Sequence, residues 1–86
     1  MTVPTWVVCG LLRAYGNTCT YCGWQGEDDD FVPDHAIPKM LGGSDHAVNL
    51  RLACKGCNAQ KGTRTEVEYR IWRMWNPDRA NCGPFW

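Results

Sequence analysis

The sequence predicts a small α+β domain that depends on cross-links as well as on its core. The chain has 86 residues, and a chain of that size buries only roughly 60% of the surface that it exposes when unfolded. Six residues are cysteines, and four of them form two C-x-x-C pairs. Helical and strand-like segments surround these pairs in the order helix, cysteine turn, strand, loop, strand, helix, helix.

The first predicted helix covers about residues 5–15. Apolar residues recur there at helical spacing from Val8 to Tyr15, and Gly16 is placed to end the helix.

Two short strands are predicted between the cysteine pairs. The segment FVPDH, residues 31–35, is the first, and its Pro33 limits it to a sheet edge or a strand end. The segment LRLA, residues 50–53, is the second. The cysteine turn that follows opens into a brief helix, which Gly62 closes.

The last predicted helix covers about residues 66–76, up to Pro77. Thr65 followed three residues later by Glu68 is a capping-box pattern. Four apolar residues recur on one stripe of this amphipathic helix. They are Val67, Ile71, Met74 and Trp75. Trp72 and Trp75 are interpreted as core or helix-packing residues, with base stacking as the alternative.

The paired cysteines predict a structural zinc ion. Cys19 and Cys22 form one pair and Cys54 and Cys57 the other, with 31 residues between them. The start of the chain lacks the basic segment and cleavage site of a signal peptide, so a cytoplasmic location, where thiols stay reduced, is the default. Four thiolates can then hold zinc tetrahedrally at about 2.3 Å. Disulfides or a redox C-x-x-C are the alternatives.

Several residues outside these patterns receive structural interpretations. Cys9 is expected to be a small buried apolar residue, and Cys82 a tail residue with no special role. His46 is expected at the surface, with a substrate contact as the alternative. Phe85 and Trp86 either dock back on the domain or contact a partner.

Charge is balanced overall but unevenly distributed. Nine basic residues oppose nine acidic ones, and that neutrality alone argues weakly against a nucleic-acid partner. Residues 51–73, however, hold six basic and two acidic residues, while residues 27–34 hold five acidic residues and no basic one. The basic region could meet phosphates. The acidic run is interpreted as a solvated surface.

A series of short motifs fills the segment between and just after the cysteine pairs. It comprises Asp34-His35, Ile37-Pro38, Gly42-Gly43, Asn49-Leu50, Cys54-x-x-Cys57-Asn58 and Lys61-Gly62. Each dipeptide is weak alone, but in this order and spacing they resemble the HNH endonuclease family in its zinc-stapled form. The resemblance runs from about Cys19 to Thr65.

The resemblance implies a ββα-metal fold, or His-Me finger, in which two strands and a helix cradle one divalent ion. With a Cys₄ structural zinc and flanking helices, residues 1–86 would form a single nuclease domain whose core is about 19–65. His35 would end the first strand as the general base, and Asn49 would lie in the loop before the second. Asn58 takes the third position of the family motif, which makes the chain an H-N-N variant.

The residue types support this chemistry independently. Hydrolysis of a phosphodiester needs an activated water and a cation to neutralise growing charge. The unperturbed pKa of a histidine such as His35 suits a general base near neutral pH. Asp34 and Asn58 offer hard oxygen ligands for Mg²⁺ or Mn²⁺, although Asp34 could instead cap or be solvated. Pro33 and Pro38 would fix a bend that aims Asp34 and His35 at one phosphate from different directions.

Supporting roles are expected for further residues. Asn49 should orient rather than react, because its amide can tie the loop that holds His35. Lys61 lies one helical turn beyond Asn58 and is expected at the scissile or a flanking phosphate. Arginines are expected to contact the DNA backbone, namely Arg64, Arg70 and Arg73. For Arg70, an ion pair with Glu66 four residues earlier is the alternative.

The sequence therefore predicts a metal-dependent endonuclease with DNA as its partner, no membrane association and a monomeric state. The competing class is a zinc-stabilised module that binds DNA or protein without cutting. Such a module does not need Asp34, His35, Asn49 and Asn58 together, which favours the enzyme. Small chains that resemble this one are often phage-encoded. The resemblance thus also suggests a protein partner in a phage packaging or modification assembly. A further alternative is that the domain cuts only as part of such an assembly.

Overall fold

The computed structural model of the protein describes residues 3–80. Its helices and strands are, in chain order, α1 (Thr5–Tyr15), β1 (Phe31–His35), β2 (Leu50–Cys54), α2 (Lys55–Lys61) and α3 (Glu66–Trp75). Short 3₁₀ turns shape the connections at Asp28–Asp30, Lys39–Leu41, Ala47–Asn49 and Pro77–Arg79. The predicted α+β class and element order are confirmed. None of the helices in this part of the chain has the length and apolar character needed to cross a lipid bilayer.

The two strands form an antiparallel sheet whose register runs from Phe31 opposite Cys54 to His35 opposite Leu50. A two-stranded sheet has a free edge on each strand, so Pro33 can lie within β1, as predicted. The strand ends at His35. That end is where neighbouring side chains no longer have to point to opposite faces of a sheet.

The core lies between the sheet, α1 and α3. Its buried members are Leu11, Tyr21, Phe31, Leu50, Leu52, Ala53 and Tyr69, together with three cysteines. The rings of Tyr21 and Tyr69 meet edge to face, with centroids 5.2 Å apart. With so few buried side chains, polar anchors must share the work of holding the elements together.

α1 ends at Tyr15, and Gly16 follows it as the predicted helix stop, in a left-handed conformation with a φ of 61°. Cys9, however, is exposed on this helix, so its predicted burial is wrong. The helix turns Leu11 to the core, and Cys9, two positions earlier, therefore points to another side. Cys82, Phe85 and Trp86 lie outside the described residues.

α3 begins with the predicted capping box. The Thr65 hydroxyl accepts a hydrogen bond from the Glu68 amide at 3.1 Å, and the Glu68 carboxylate accepts one from the Thr65 amide at 2.8 Å. These two bonds satisfy amides that the first turn of a helix leaves without partners. The helix therefore starts where the local sequence predicts.

The face that α3 turns to the core differs from the apolar stripe of the sequence. Tyr69 is fully buried and Trp72 packs half-buried against the core, while the stripe is exposed. Its members Val67, Ile71, Met74 and Trp75 are 64%, 50%, 77% and 82% exposed. The interpretation as a core residue is confirmed for Trp72 and wrong for Trp75. Tyr69 can be buried because its hydroxyl donates to the Gln60 side chain at 2.9 Å.

Replacement of Thr65 by alanine should lower the free energy of unfolding by about 1 kcal/mol, because the Glu68 amide loses its capping acceptor. Thr63→Ala, at an exposed turn position two residues earlier, is the matched control and should change stability little. Chemical denaturation of both variants in the presence of zinc measures the difference. Equal unfolding free energies would show that the cap contributes nothing.

Candidate active site and metal centre

Four cysteine thiols cluster where β2 runs into α2. The sulfur atoms of Cys19, Cys22, Cys54 and Cys57 all lie within 4.8 Å of one another, and those of Cys22 and Cys54 are 3.7 Å apart. An ion bound tetrahedrally at about 2.3 Å from each sulfur sets the sulfurs about 3.8 Å apart. The cluster therefore has the dimensions of a site for a metal ion such as zinc, and these four cysteines form no disulfide.

The electrostatics of the cluster also suit a cation. Hydrogen bonds from Cys54 and Cys57 lower the pKa of Cys19. Hydrogen bonding to Cys19 in turn raises the pKa of Cys54 to about 12 and raises that of Cys57 further. One thiolate thus opposes ionisation of its neighbours, and a divalent cation relieves that conflict. The Arg73 guanidinium lies 3.5 Å from the Cys57 sulfur and adds positive charge from outside the cluster.

A second site lies in a cleft of about 240 Å³ beside the end of β1. Its lining comes from β1, from the turn after it and from α2. The lining residues are Pro33, Asp34, His35, Pro38, Lys39, Asn58, Lys61 and Gly62. The structure thus brings together Asp34, His35 and Asn58, which supply a carboxylate, an imidazole and an amide oxygen. Carboxylate and amide oxygens are the donors that Mg²⁺ and Mn²⁺ prefer, so this donor set fits such an ion.

Asp34 is held in place rather than solvated. The residue is 5% exposed, and its Oδ2 atom accepts a hydrogen bond of 2.5 Å from the Tyr21 hydroxyl. The Lys61 ammonium lies 3.4 Å from the same oxygen, which leaves Oδ1 for a further ligand. Burial raises the pKa of Asp34, and the Tyr21 hydrogen bond and the Lys61 charge oppose that rise.

Lys61 differs from its prediction. The residue is 1% exposed, and its ammonium donates to the His35 carbonyl at 2.9 Å. The ammonium thus has partners within the domain, and its burial does not favour the predicted contact of Lys61 with a DNA phosphate. Because α2 packs against β1, the helix face that carries Asn58 and Lys61 meets the end of the strand. The lysine charge therefore interacts with groups inside the domain.

His35 pairs with a residue that the sequence did not identify. Its Nε2 atom lies 2.7 Å from Asp45 Oδ1, and the Lys39 ammonium lies 2.9 Å from the other oxygen of Asp45. The hydrogen bond from His35, followed by that from Lys39, lowers the pKa of Asp45. A carboxylate only accepts, so in the neutral form of the imidazole Nε2 carries the proton and Nδ1 has the lone pair. In sequence, Asp45 follows GGS and looks like any other turn residue.

Asn49 ties the loop behind His35. Its side-chain oxygen accepts from the Ile37 amide at 2.9 Å, and its amide group donates to the carbonyls of Ile37 at 3.0 Å and Ser44 at 2.8 Å. Gly43 lies so close to the backbone of Ile37 that a Cβ atom at position 43 would stand 1.7 Å from the Ile37 carbonyl oxygen. The loop from β1 to β2 is therefore closed on itself around one buried amide.

The predicted DNA-contacting arginines all have partners within the domain. Arg73 donates to the Tyr69 hydroxyl at 3.2 Å and is half-buried beside the cysteine cluster. Arg64 donates to the Gln60 carbonyl at 3.0 Å and stacks 5.4 Å above the Trp72 ring. These contacts give both arginines structural roles that their spacing in the sequence could not indicate.

Arg70 forms the predicted alternative, an ion pair of 3.2 Å with Glu66 one helical turn earlier. Its side chain nevertheless stays 47% exposed. His46, the other histidine, is exposed, as expected, and lines a separate apolar groove with residues of α1.

Comparison with known proteins identifies the family of the chain. A search of curated proteins finds no match to the chain. A family model described as HNH endonuclease matches residues 19–71, which is more than half of the chain and includes all four clustered cysteines and the cleft. With its α+β architecture, its two-stranded antiparallel sheet and α2 arranged as a ββα-metal fold, the chain belongs to the HNH endonuclease family.

Proposed function

We propose that the protein is a metal-dependent DNA endonuclease that hydrolyses phosphodiester bonds at the cleft beside β1. The observation that supports this most directly is the convergence of Asp34, His35 and Asn58 in one cleft. In this cleft a histidine, held by the Asp45 carboxylate, stands beside the buried Asp34 carboxylate and the Asn58 amide. A module that only binds DNA does not need this combination.

His35 acts as the general base in this proposal. Because its Nε2–H is held by Asp45, the Nδ1 lone pair is free to take a proton from the attacking water. Asp45 stabilises the imidazolium that results, since its carboxylate lies 2.7 Å away. Asn49 keeps the loop that carries Asp45 closed against β1, through its bond to the Ser44 carbonyl.

Asp34 and Asn58 would hold the catalytic divalent ion, either Mg²⁺ or Mn²⁺. When bound, such an ion supplies positive charge that offsets the charge growing on the phosphate oxygens. Lys61 keeps the Asp34 carboxylate in position from inside the domain. Asn58 reaches the cleft because α2 begins directly after β2.

DNA contacts outside the cleft would come from exposed cations. Lys39 lines the cleft and its side chain is 45% exposed, so it replaces Lys61 as the lysine nearest the scissile phosphate. Arg70, with its exposed side chain, and Arg64 remain proposed contacts with the DNA backbone. Arg73 is assigned instead to the cysteine cluster.

The ion in the four-cysteine cluster is proposed to be zinc, in a reducing cytoplasmic location. All four donors are sulfur, and the sulfur spacing suits a tetrahedral ion. Such a site has no open position for substrate, so its role is structural. It joins the turn that carries Cys19 and Cys22 to the junction of β2 and α2.

One observation favours cleavage within a larger assembly, such as a phage packaging or modification complex. The stripe of α3 exposes four large apolar side chains on one face of a helix only ten residues long. Exposed apolar surface of this kind is typical of protein interfaces. A protein partner on this face is therefore part of the proposal.

Cys57→Ser should lose bound zinc and much of its stability, because binding of structural zinc contributes an apparent free energy on the order of 10 kcal/mol. Cys9→Ser, which changes an exposed cysteine outside the cluster, should keep one zinc per chain. Elemental analysis and thermal unfolding of both variants test the assignment. Equal zinc content in the two would contradict it.

His35→Ala should slow cleavage of supercoiled plasmid by about 10²- to 10⁴-fold, the usual contribution of a general base. His46→Ala is the matched control, since it removes the other histidine without touching the cleft. Each protein is assayed with Mg²⁺, with Mn²⁺ and with EDTA, which should abolish cleavage. If His35→Ala cuts as fast as His46→Ala, the base assignment fails.

The wild-type protein provides a further comparison in the same assay. Zinc-loaded wild type that shifts DNA on a gel but never cuts it, with either ion, would instead support the non-catalytic binding module. Recovery of cleavage on addition of a partner protein would support the assembly.

Asp45→Asn should slow cleavage by roughly 10- to 100-fold, as loss of a residue that orients a reacting side chain commonly does. The substituted amide keeps the shape but loses the charge, and it can donate to Nε2, which would move the imidazole proton to Nδ1. Asp29→Asn, an exposed turn residue, is the control for loss of one negative charge. A rate equal to that control would remove Asp45 from the mechanism.

A further inference from the structure

We propose that Tyr21, which lies in the first cysteine turn, is a positioning residue for the catalytic divalent ion. The inference rests on the proposed function, in which Asp34 holds that ion. In this arrangement the cysteine turn serves the active site directly, and not only the stability of the fold.

The backbone of Tyr21 is fixed by its position in the turn. It stands between Cys19 and Cys22, and its amide donates to the Cys19 sulfur at 3.4 Å. The preceding residue, Thr20, donates its own amide to the Leu52 carbonyl of β2 at 2.8 Å. The turn is thus joined to the sheet as well as to the cluster.

The ring of Tyr21 is fixed by packing. It is 9% exposed and meets Tyr69 edge to face at 5.2 Å, with an interplanar angle of 79°. The guanidinium of Arg70, a residue of α3, lies 5.4 Å from the centroid of the Tyr21 ring. With two χ angles and contacts on several sides, the ring delivers its hydroxyl to one place.

The Tyr21 hydroxyl donates its hydrogen bond to Oδ2 of Asp34. The carboxylate of an aspartate can rotate about two bonds, and a metal ligand must present one oxygen in one direction. Tyr21 and Lys61 both contact Oδ2, so the orientation of the carboxylate, and with it the position of Oδ1, is defined in a residue that lines the cleft. Tyr21 thereby orients Asp34 through a hydrogen bond, as the hydrogen-bond partners of metal ligands generally do.

The role can be separated from stability because Tyr21→Phe removes only the hydroxyl and keeps the ring. We expect Tyr21→Phe to keep the zinc content of wild type and to stay folded, with a thermal midpoint lowered only by the loss of one hydrogen bond to Asp34. The dissociation constant for Mn²⁺ should rise by roughly 10- to 100-fold, the usual effect of losing such a partner. Cleavage should approach the wild-type rate once Mn²⁺ is saturating.

The experiment measures Mn²⁺ binding to the zinc-loaded full chain by calorimetry and by electron paramagnetic resonance, independently of cleavage. Tyr15→Phe is the matched control, since it deletes the hydroxyl of a second tyrosine, which packs half-buried against the core. Asp34→Ala removes both side-chain oxygens and defines the signal without the proposed ligand. Incorporation of 4-aminophenylalanine at position 21, which restores a donor in place of the hydroxyl, should recover most of the affinity.

The outcomes distinguish this inference from the proposed function. A dissociation constant of Tyr21→Phe equal to that of Tyr15→Phe would overturn the positioning role, even if the protein cuts DNA. Wild type that binds Mn²⁺ through Asp34 but does not cut DNA, alone or with an added partner protein, would overturn the nuclease. Weaker binding by Tyr21→Phe would still support the positioning role. If wild type binds no Mn²⁺ at Asp34, both fail.

Discussion

The buried ammonium group of Lys61 is the interaction on which the arrangement of the cleft depends. A charge that is 1% exposed costs several kcal/mol if it is left without partners, so the fold must supply them. Its partners are the His35 carbonyl and the Asp34 carboxylate, which are the last two residues of β1. Satisfying this one charge therefore sets α2 against the strand end. The same helix then brings Asn58 to the cleft, so the position of this proposed ligand follows from a packing requirement.

β2 carries the second constraint, because it is fixed at both ends by polar groups. At its start, Asn49 closes the loop behind His35 through three hydrogen bonds. At its end, Cys54 joins the cysteine cluster, whose turn holds Tyr21 against Asp34. One end of β2 thus supports the imidazole and the other supports the carboxylate. A domain with a small core can in this way hold two neighbouring side chains in different orientations.

Local signals in the sequence predicted most of the fold. The capping box at Thr65, the glycine after α1 and the paired cysteines each act over a few residues, so their positions can be inferred without knowledge of tertiary packing. The errors arise where two elements meet. The burial of Lys61 depends on how α2 packs against β1. The stripe of α3 is exposed because the helix turns its other apolar face, with Tyr69 and Trp72, to the core. Asp45 was missed because its partnership with His35 spans a loop whose closure only the structure reveals.

The charges around the cleft explain why an added cation suits it. Asp34 is already opposed by Lys61 at 3.4 Å, and Asp45 by Lys39 at 2.9 Å. Among the residues that line the cleft in the described part of the chain, the cations are these two lysines, and each is committed to a carboxylate. A phosphodiester that enters would therefore meet little uncompensated positive charge. A divalent ion on Asp34 and Asn58, as proposed, would correct that balance. The proposed need for a metal ion then follows from how the charges of the cleft are paired as well as from its donor atoms.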